Sequence, residues 1–304
     1  MRALLAALAL AAAQVHAADA PPSATRTAFF YVPMKGVLAL TPQTLYTLSS
    51  PFDSTRSGAT IADTTLRQGT FGLSMDYGAL SALSVGALGN YRRLDTRTSA
   101  RGAQGNIALT NEGFSDVSLY VRGLLPAGRV TLLYGITQGF SPDHAATALA
   151  DSHGNQFSGG HSLQPLLGLQ AEFAQGHFLG LRMSYLKRSD RTVESGTAVK
   201  TLSGGDDFEL ATIYYERRSM PWMADLVFSL DRIGETRTDG VLSAASYTTP
   251  TLQARGYLTL SRRVVLIAGY GIQKIPSVTA GAAGTSGYLL HTVGAGLRTL
   301  LVLP

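Results

Sequence analysis

Several polar side chains stand at alternate positions within otherwise apolar segments: Asp76, Arg92, Arg122, Gln164, Gln170, Glu172, Arg182, Glu209, Asp225, Asp231, Gln253, Arg255 and Arg298. Charges of both signs spaced in this way suit two kinds of chemistry. They can be hydrated or paired across an enclosed polar space, because burying any one of them alone is costly. Alternatively, the arginines can draw anionic groups along a path through that space. The candidate solute path comprises Arg92, Arg122, Glu172, Arg182, Glu209, Asp225, Asp231, Arg255 and Arg298. The carboxylates among them argue against a purely cationic channel.

A second group, His144, Asp151, His153, Ser158 and His161, gathers between Ser141 and His161. These residue types serve hydrolases and metal sites. His153 and His161 lack the usual zinc spacings, no G-x-S-x-G elbow is present, and Gly154, Gly159 and Gly160 mark a surface loop. His291 and Thr292 lie in the last apolar segment, but spacing alone assembles no Ser-His-Asn constellation around them. No catalytic residue, metal ligand or cofactor is therefore expected.

The elements that position these residues are strands. In Trp222–Asp231, Trp222, Ala224, Leu226, Phe228 and Leu230 share one parity, while Asp225, Ser229 and Asp231 share the other. The same split separates Leu179, Leu181, Met183 and Tyr185 from Gly180, Arg182 and Ser184. A period of two with one apolar and one polar face is the mark of a strand. Such segments centre near residues 43, 72, 88, 120, 134, 168, 182, 212, 227, 254, 269 and 295, an even number as single-chain bacterial barrels require.

Connections alternate between short and long. Gly78–Ser81, Leu125–Gly128, Ala174–His177, Ser219–Pro221 and Ser261–Arg263 are hairpin-sized. Ser50–Thr65, Thr98–Gly113, Ser141–His161, Asp190–Gly205, Gly234–Tyr247 and Pro276–Gly287 are longer and polar. This parity predicts a twelve-stranded antiparallel transmembrane β-barrel with short periplasmic turns and long extracellular loops. A soluble sandwich or propeller has no reason to keep it, and would carry more charge on its exposed face. Lipid offers no hydrogen bonds, so the first strand must pair with the last. Pro42, unable to donate to a ladder, predicts a bulge or a late start in the first strand. Tyr31, Tyr46, Phe71, Tyr77, Tyr91, Tyr185, Tyr214, Trp222, Tyr270 and Tyr288 lie near strand ends, where interfacial girdles form.

Composition agrees. Charged residues make up 15% of the 304, well below the roughly 25% usual in soluble domains. The absence of cysteine removes disulfides, thiolate sites and a lipoprotein anchor. A net charge of +5 without a basic run does not support nucleic-acid binding. Arg2, the apolar run Ala3–Ala13 and the small residues around Val15–Ala17 have the layout of a secretory signal peptide. The expected organisation is a signal peptide over 1–17, an N-terminal segment over 18–35 serving as plug or periplasmic tail, and a barrel over 36–304.

Two stretches resemble the outer-membrane transporters of the meta-pathway phenol-degradation-like family. Pro33–Leu40 is like that family's Pro-x-Lys-Gly entry into the first strand, and Gly113–Tyr120 is like its Gly-x-Gly-Asp strand opening, with Ser115 in place of the second glycine. A further departure is the ending Leu300–Pro304, where such barrels commonly finish with an aromatic residue. The resemblance implies an outer-membrane barrel associated with uptake of small aromatic or hydrophobic compounds and carries over no catalytic residue.

The expected function is accordingly a channel or uptake protein in the outer membrane of a Gram-negative bacterium, passing small solutes through a charge-lined lumen. Its expected partners are outer-membrane lipid, a small-molecule solute and the outer-membrane assembly machinery. The alternatives are a membrane-embedded interfacial hydrolase of phospholipase type and a structural or adhesive barrel.

Overall fold

A computed structural model describes residues 30–100, 106–142, 145–146, 156–195, 198–219, 221–280 and 283–303. The expected signal peptide over 1–17 lies outside them. Twelve strands form the wall: β1 (Val37–Ser49), β2 (Ala59–Leu80), β3 (Leu83–Ala100), β4 (Val117–Ala127), β5 (Val130–Phe140), β6 (His161–Ala174), β7 (His177–Arg188), β8 (Asp207–Ser219), β9 (Trp222–Ile233), β10 (Tyr247–Ser261), β11 (Val264–Ile275) and β12 (Tyr288–Val302). Each pairs antiparallel with the next, and β1 pairs with β12 from Val37↔Val302 to Ser49↔Leu290, closing the barrel. No sheet edge is left in the wall, as a solvent without hydrogen bonds demands.

The apolar parity faces outward. Leu226 is 48% exposed and Phe228 40%, while Asp225, next to Leu226 on the opposite parity, is 3% exposed and points into the lumen. Phe71, Met75, Leu119, Leu167, Leu179 and Val293 continue the exposed apolar belt around the barrel. Such a belt has no stable place in water and matches the lipid-facing surface of a membrane barrel.

The strands are locked in register by tyrosines lying over glycines on the neighbouring strand. A Cβ on Gly86 would come within 2.4 Å of the Tyr120 ring, one on Gly123 within 2.0 Å of Tyr134, and one on Gly180 within 2.1 Å of Tyr214. Each glycine is the direct cross-strand partner of its tyrosine. The ring covers backbone that no side chain protects, and a shift of one residue would drive it into a Cβ. Tyr120 and Tyr214 do this inside the lumen, whereas Tyr134 does it on the outer face.

Three expectations are corrected. Pro42 makes no bulge: β1 runs through it, pairing Pro42 with Leu73 of β2. The ladder to β12 instead breaks off between Leu40↔Thr299 and Gln43↔Gly296, with the same register on either side. Second, much of two expected long loops is strand. β2 begins at Ala59, β3 continues to Ala100, and Asn106–Phe114 pairs with β3. Thr60, Thr64, Thr65, Thr96 and Thr98 are polar but β-branched, so they extend the sheet past the apolar belt rather than end it. Third, the turns at the opposite end are tighter than the expected segments, with strands running to the two-residue turns Ser81–Ala82, Gly128–Arg129, Gln175–Gly176 and Arg262–Arg263. Gly128 and Gly176 hold positive φ there, of 65° and 71°.

At the long-loop end, short strands knit the connections together. Phe52–Arg56 pairs with β2 and with Ala283–Thr285. Val241–Ala244, Thr236–Thr238, Ala198–Gly204, Arg191–Ser195 and Ala145–Ala146 form a second sheet in that order. Gly113–Asp116, the opening of the family-like stretch Gly113–Tyr120, is where β3 exchanges one partner strand for another. Ser115 N donates to Asn90 O at 2.8 Å, and Asp116 Oδ1 accepts from Ser158 N at 2.9 Å.

Candidate functional site

The N-terminal segment enters the barrel at the short-turn end. Phe30 and Val32 are buried against Leu124, Leu133, Tyr214 and Val227, with Leu166 beside them. The segment is tied to the wall where it turns into β1: Gly36 N donates to Gly78 O at 2.8 Å and Val37 N to Met34 O at 2.9 Å. A Cβ on Gly78 would stand 1.9 Å from the Met34 carbonyl oxygen, so only glycine admits the segment at this point. Phe30 and Val32 thus pack into this end of the lumen, while Met34 and Lys35 are exposed.

Beside that filling lies a cavity of about 520 Å³, within the range of roughly 300–1,000 Å³ found for ligand pockets. Phe30 and Tyr31 supply part of its lining, with Leu45, Leu88, Leu166 and Ile267 as further apolar contributors. Four arginines line it, Arg122, Arg182, Arg255 and Arg298, together with Glu209.

Two of these arginines are held by carboxylates. Arg182 donates to both oxygens of Glu209, Nε at 3.1 Å and Nη2 at 2.6 Å, and Ser184 Oγ donates to the same carboxylate at 2.9 Å. Arg255 Nε donates to Asp225 Oδ1 at 2.9 Å, and Tyr257 Oη donates to Asp225 Oδ2 at 2.8 Å. Bidentate and doubly donated carboxylates of this kind are the strong class of ion pair. The other two stack on rings. The Arg122 guanidinium lies 4.0 Å from the Tyr120 ring centre, and that of Arg298 lies 3.9 Å from the Tyr31 ring centre.

The nine sequence-nominated residues separate by height. Arg122, Arg182, Glu209, Arg255 and Arg298 line the cavity, and Asp225 stands behind Arg255. The remaining three do not line it. Arg92 has the inward parity but is exposed beside the strand Asn106–Phe114, pairing across to Gly113. Glu172 accepts from Gly176 N at 2.9 Å and so caps a short turn. Asp231 accepts from Ser229 Oγ at 3.2 Å and neighbours Glu209 across β8 and β9. Parity assigns a face but says nothing of depth, so it cannot separate these three from the others.

Sequence reasoning missed the deeper pair Glu216–Arg218, in which Arg218 also lies 3.8 Å from the Phe178 ring centre. The shared parity of Tyr214, Glu216 and Arg218 was the available signal. Two aromatics assigned to the girdle are instead inside: Tyr31 stacks on Arg298, and Tyr214 is fully buried. Tyr46, Phe71, Trp222 and Tyr270 are exposed on the outer face.

The described residues nominated for the catalytic alternative are not brought together. His144, Asp151 and His153 lie outside the described residues. Ser158 belongs to the connection between β5 and β6, six strands around the wall from His291 on β12. His291 Nδ1 is bonded to Tyr270 Oη at 2.7 Å, both on the outward parity. His161 stacks edge-on against Phe140. Among the described residues no three His, Asp or Glu side chains are grouped to hold a metal.

No protein-family model and no curated protein matches the chain. Solved structures are similar to it. The COG4313 outer membrane channel from Pseudomonas putida F1 aligns over 90% of this chain and 98% of that one, at 13% identity and a TM-score of 0.59. The transport unit of the autotransporter AIDA-I from Escherichia coli aligns over 90% of this chain and 94% of that one, at 10% identity and a TM-score of 0.52. At these identities the likeness is one of fold.

Proposed function

We propose that the protein is an outer-membrane uptake channel of a Gram-negative bacterium, passing small solutes through the barrel. The observation that carries this reading is a polar cavity inside a lipid-facing barrel, with the chain's own N-terminal segment filling the end beside it. An adhesive or purely structural barrel has no use for such a cavity, because a lumen packed with side chains would be more stable. The similarity to an outer membrane channel of Pseudomonas putida supports the same reading, as does the leader expected over residues 1–17. The resemblance carried by Pro33–Leu40 and Gly113–Tyr120 adds aromatic or hydrophobic compounds as the solute class. Outer-membrane lipid and the assembly machinery are the partners this reading requires.

Liposome swelling and planar-bilayer conductance test it on the full mature chain and on a variant lacking residues 18–35. The full chain is expected to give small, measurable flux, and the shortened one several-fold more. Arg182→Ala is expected to alter ion selectivity, since it leaves Glu209 without its partner in the cavity wall. Absence of flux for every solute, with and without the segment, would favour the structural reading.

A further inference from the structure

We propose that the lumen cavity binds an oxyanion carried on an apolar body, a small carboxylate or sulfonate amphiphile, with Arg298 and Arg122 taking the anionic end. The inference rests on the uptake reading and gives it a substrate class. Its ground is the contrast among the four lining arginines. Arg182 and Arg255 are each held by a carboxylate, Glu209 and Asp225. Arg298 and Arg122 make no ion pair with a carboxylate among the described residues. The only hydrogen bond Arg298 makes among them is from Nε to Thr41 Oγ1, at 3.4 Å.

What Arg298 and Arg122 have instead is a ring against one guanidinium face, Tyr31 for Arg298 and Tyr120 for Arg122. Stacking fixes the plane of a guanidinium and shields its face while leaving the in-plane N–H fork available, the geometry that recognises a carboxylate or sulfonate. The acid whose charge both arginines feel is Asp76, buried beside Tyr120, and one carboxylate cannot balance two guanidiniums. A cationic excess held inside a barrel is costly unless an anion completes it. The rest of the lining suits the other end of such a ligand: Phe30, Leu45, Leu88, Leu166 and Ile267 offer apolar contact within the same cavity. A uniformly hydrated channel would need neither the stacked rings nor these side chains.

The test is equilibrium binding by calorimetry to the full mature chain in phosphatidylcholine nanodiscs, with three probes that share one apolar body: 4-phenylbutanoate, 4-phenylbutanol and 4-phenylbutylamine. The acid is expected to bind at least tenfold more tightly than the alcohol, and the amine more weakly than either. Arg298→Gln and Arg122→Gln are each expected to cost the acid about tenfold while leaving the alcohol unchanged. Arg298→Lys, which keeps the charge but loses the fork, is expected to fall between. Heat-modifiable gel migration establishes that each variant is folded, and if Arg298→Gln is not, the Arg122→Gln comparison decides. Equal binding of acid and alcohol, or variants that leave the preference intact, would overturn the proposal. Swelling assays with neutral solutes separate it from the uptake reading. Flux without acid preference defeats this inference alone, whereas absence of all flux defeats the channel and leaves the binding series to decide the site.

Discussion

The two ends of the barrel are built on different principles. At the short-turn end, two-residue turns bring the strands together around a filled interior. Phe30 and Val32 pack on Leu133 and Tyr214, and the carboxylates of the pairs Asp225–Arg255 and Glu216–Arg218 are fully buried. At the long-loop end the strands run on past the apolar belt, and what holds them is hydrogen bonding between polar segments in contact with water. Asp206 is typical: its carboxylate accepts from Tyr185 Oη at 2.7 Å, Lys187 Nζ at 2.9 Å and Arg188 N at 2.8 Å. One end is a small protein core wrapped in a barrel, and the other is a hydrated collar. Stability should be concentrated in the first and adaptability in the second.

Mutations sharpen that contrast. The largest effect is expected from Asp225→Ala, which takes this carboxylate from the half-buried Arg255 and the acceptor from the buried Tyr257 hydroxyl. Breaking a buried pair costs about 3–5 kcal/mol, to be read from urea unfolding in lipid bilayers. Tyr214→Ala should follow at roughly 3 kcal/mol, because it empties the space over Gly180 and beside Phe30 together. Leu226→Arg, on the lipid face, should cost about 2–4 kcal/mol if it lies near the bilayer midplane, with no effect in the lumen. A loss under about 0.5 kcal/mol would show that Leu226 does not lie near the bilayer midplane. Arg93→Ala on the collar removes only the exposed contacts to Asp95 and Glu112, at 3.5 and 3.6 Å. It should change stability by no more than about 1 kcal/mol.

The smallest effect is one of pH. Burial raises the Asp206 pKa, but the bonds from Arg188, Lys187 and Tyr185 outweigh it and hold the carboxyl below its usual range. A depressed folded value means that the stabilisation is complete above the ordinary carboxylate pKa and is lost as pH falls through the folded one. The collar should therefore become more open to hydrogen exchange only in acid, below about pH 4. Asp206→Asn should show the looser state at neutral pH, with the short-turn end unaffected in both cases.

Much of the wall was legible because lipid imposes a strict two-residue period on it: each of the twelve expected strand centres falls within an observed strand. The fate of polar parity was harder to read. Arg182 and Arg92 look alike in sequence, and only the position of each strand along the barrel axis separates a cavity arginine from an exposed one. Tyrosine is ambiguous for a different reason. The same amphipathic ring serves on the outer face, as Tyr46 does, or over a glycine inside the lumen, as Tyr214 does. Which it does depends on the residue across the ladder, and that requires the register. Phe30 and Val32 had no periodic neighbours to declare them, so their role in filling the lumen became visible only in three dimensions.

Trp222 is the chain's single tryptophan, and it stands on the outer surface beside a short turn, 62% exposed. Its fluorescence will accordingly report contact with acyl chains and be largely silent about events in the cavity. Lipids brominated at successive carbons would turn that one residue into a depth gauge, fixing how far this rim sits from the bilayer centre without any label being added.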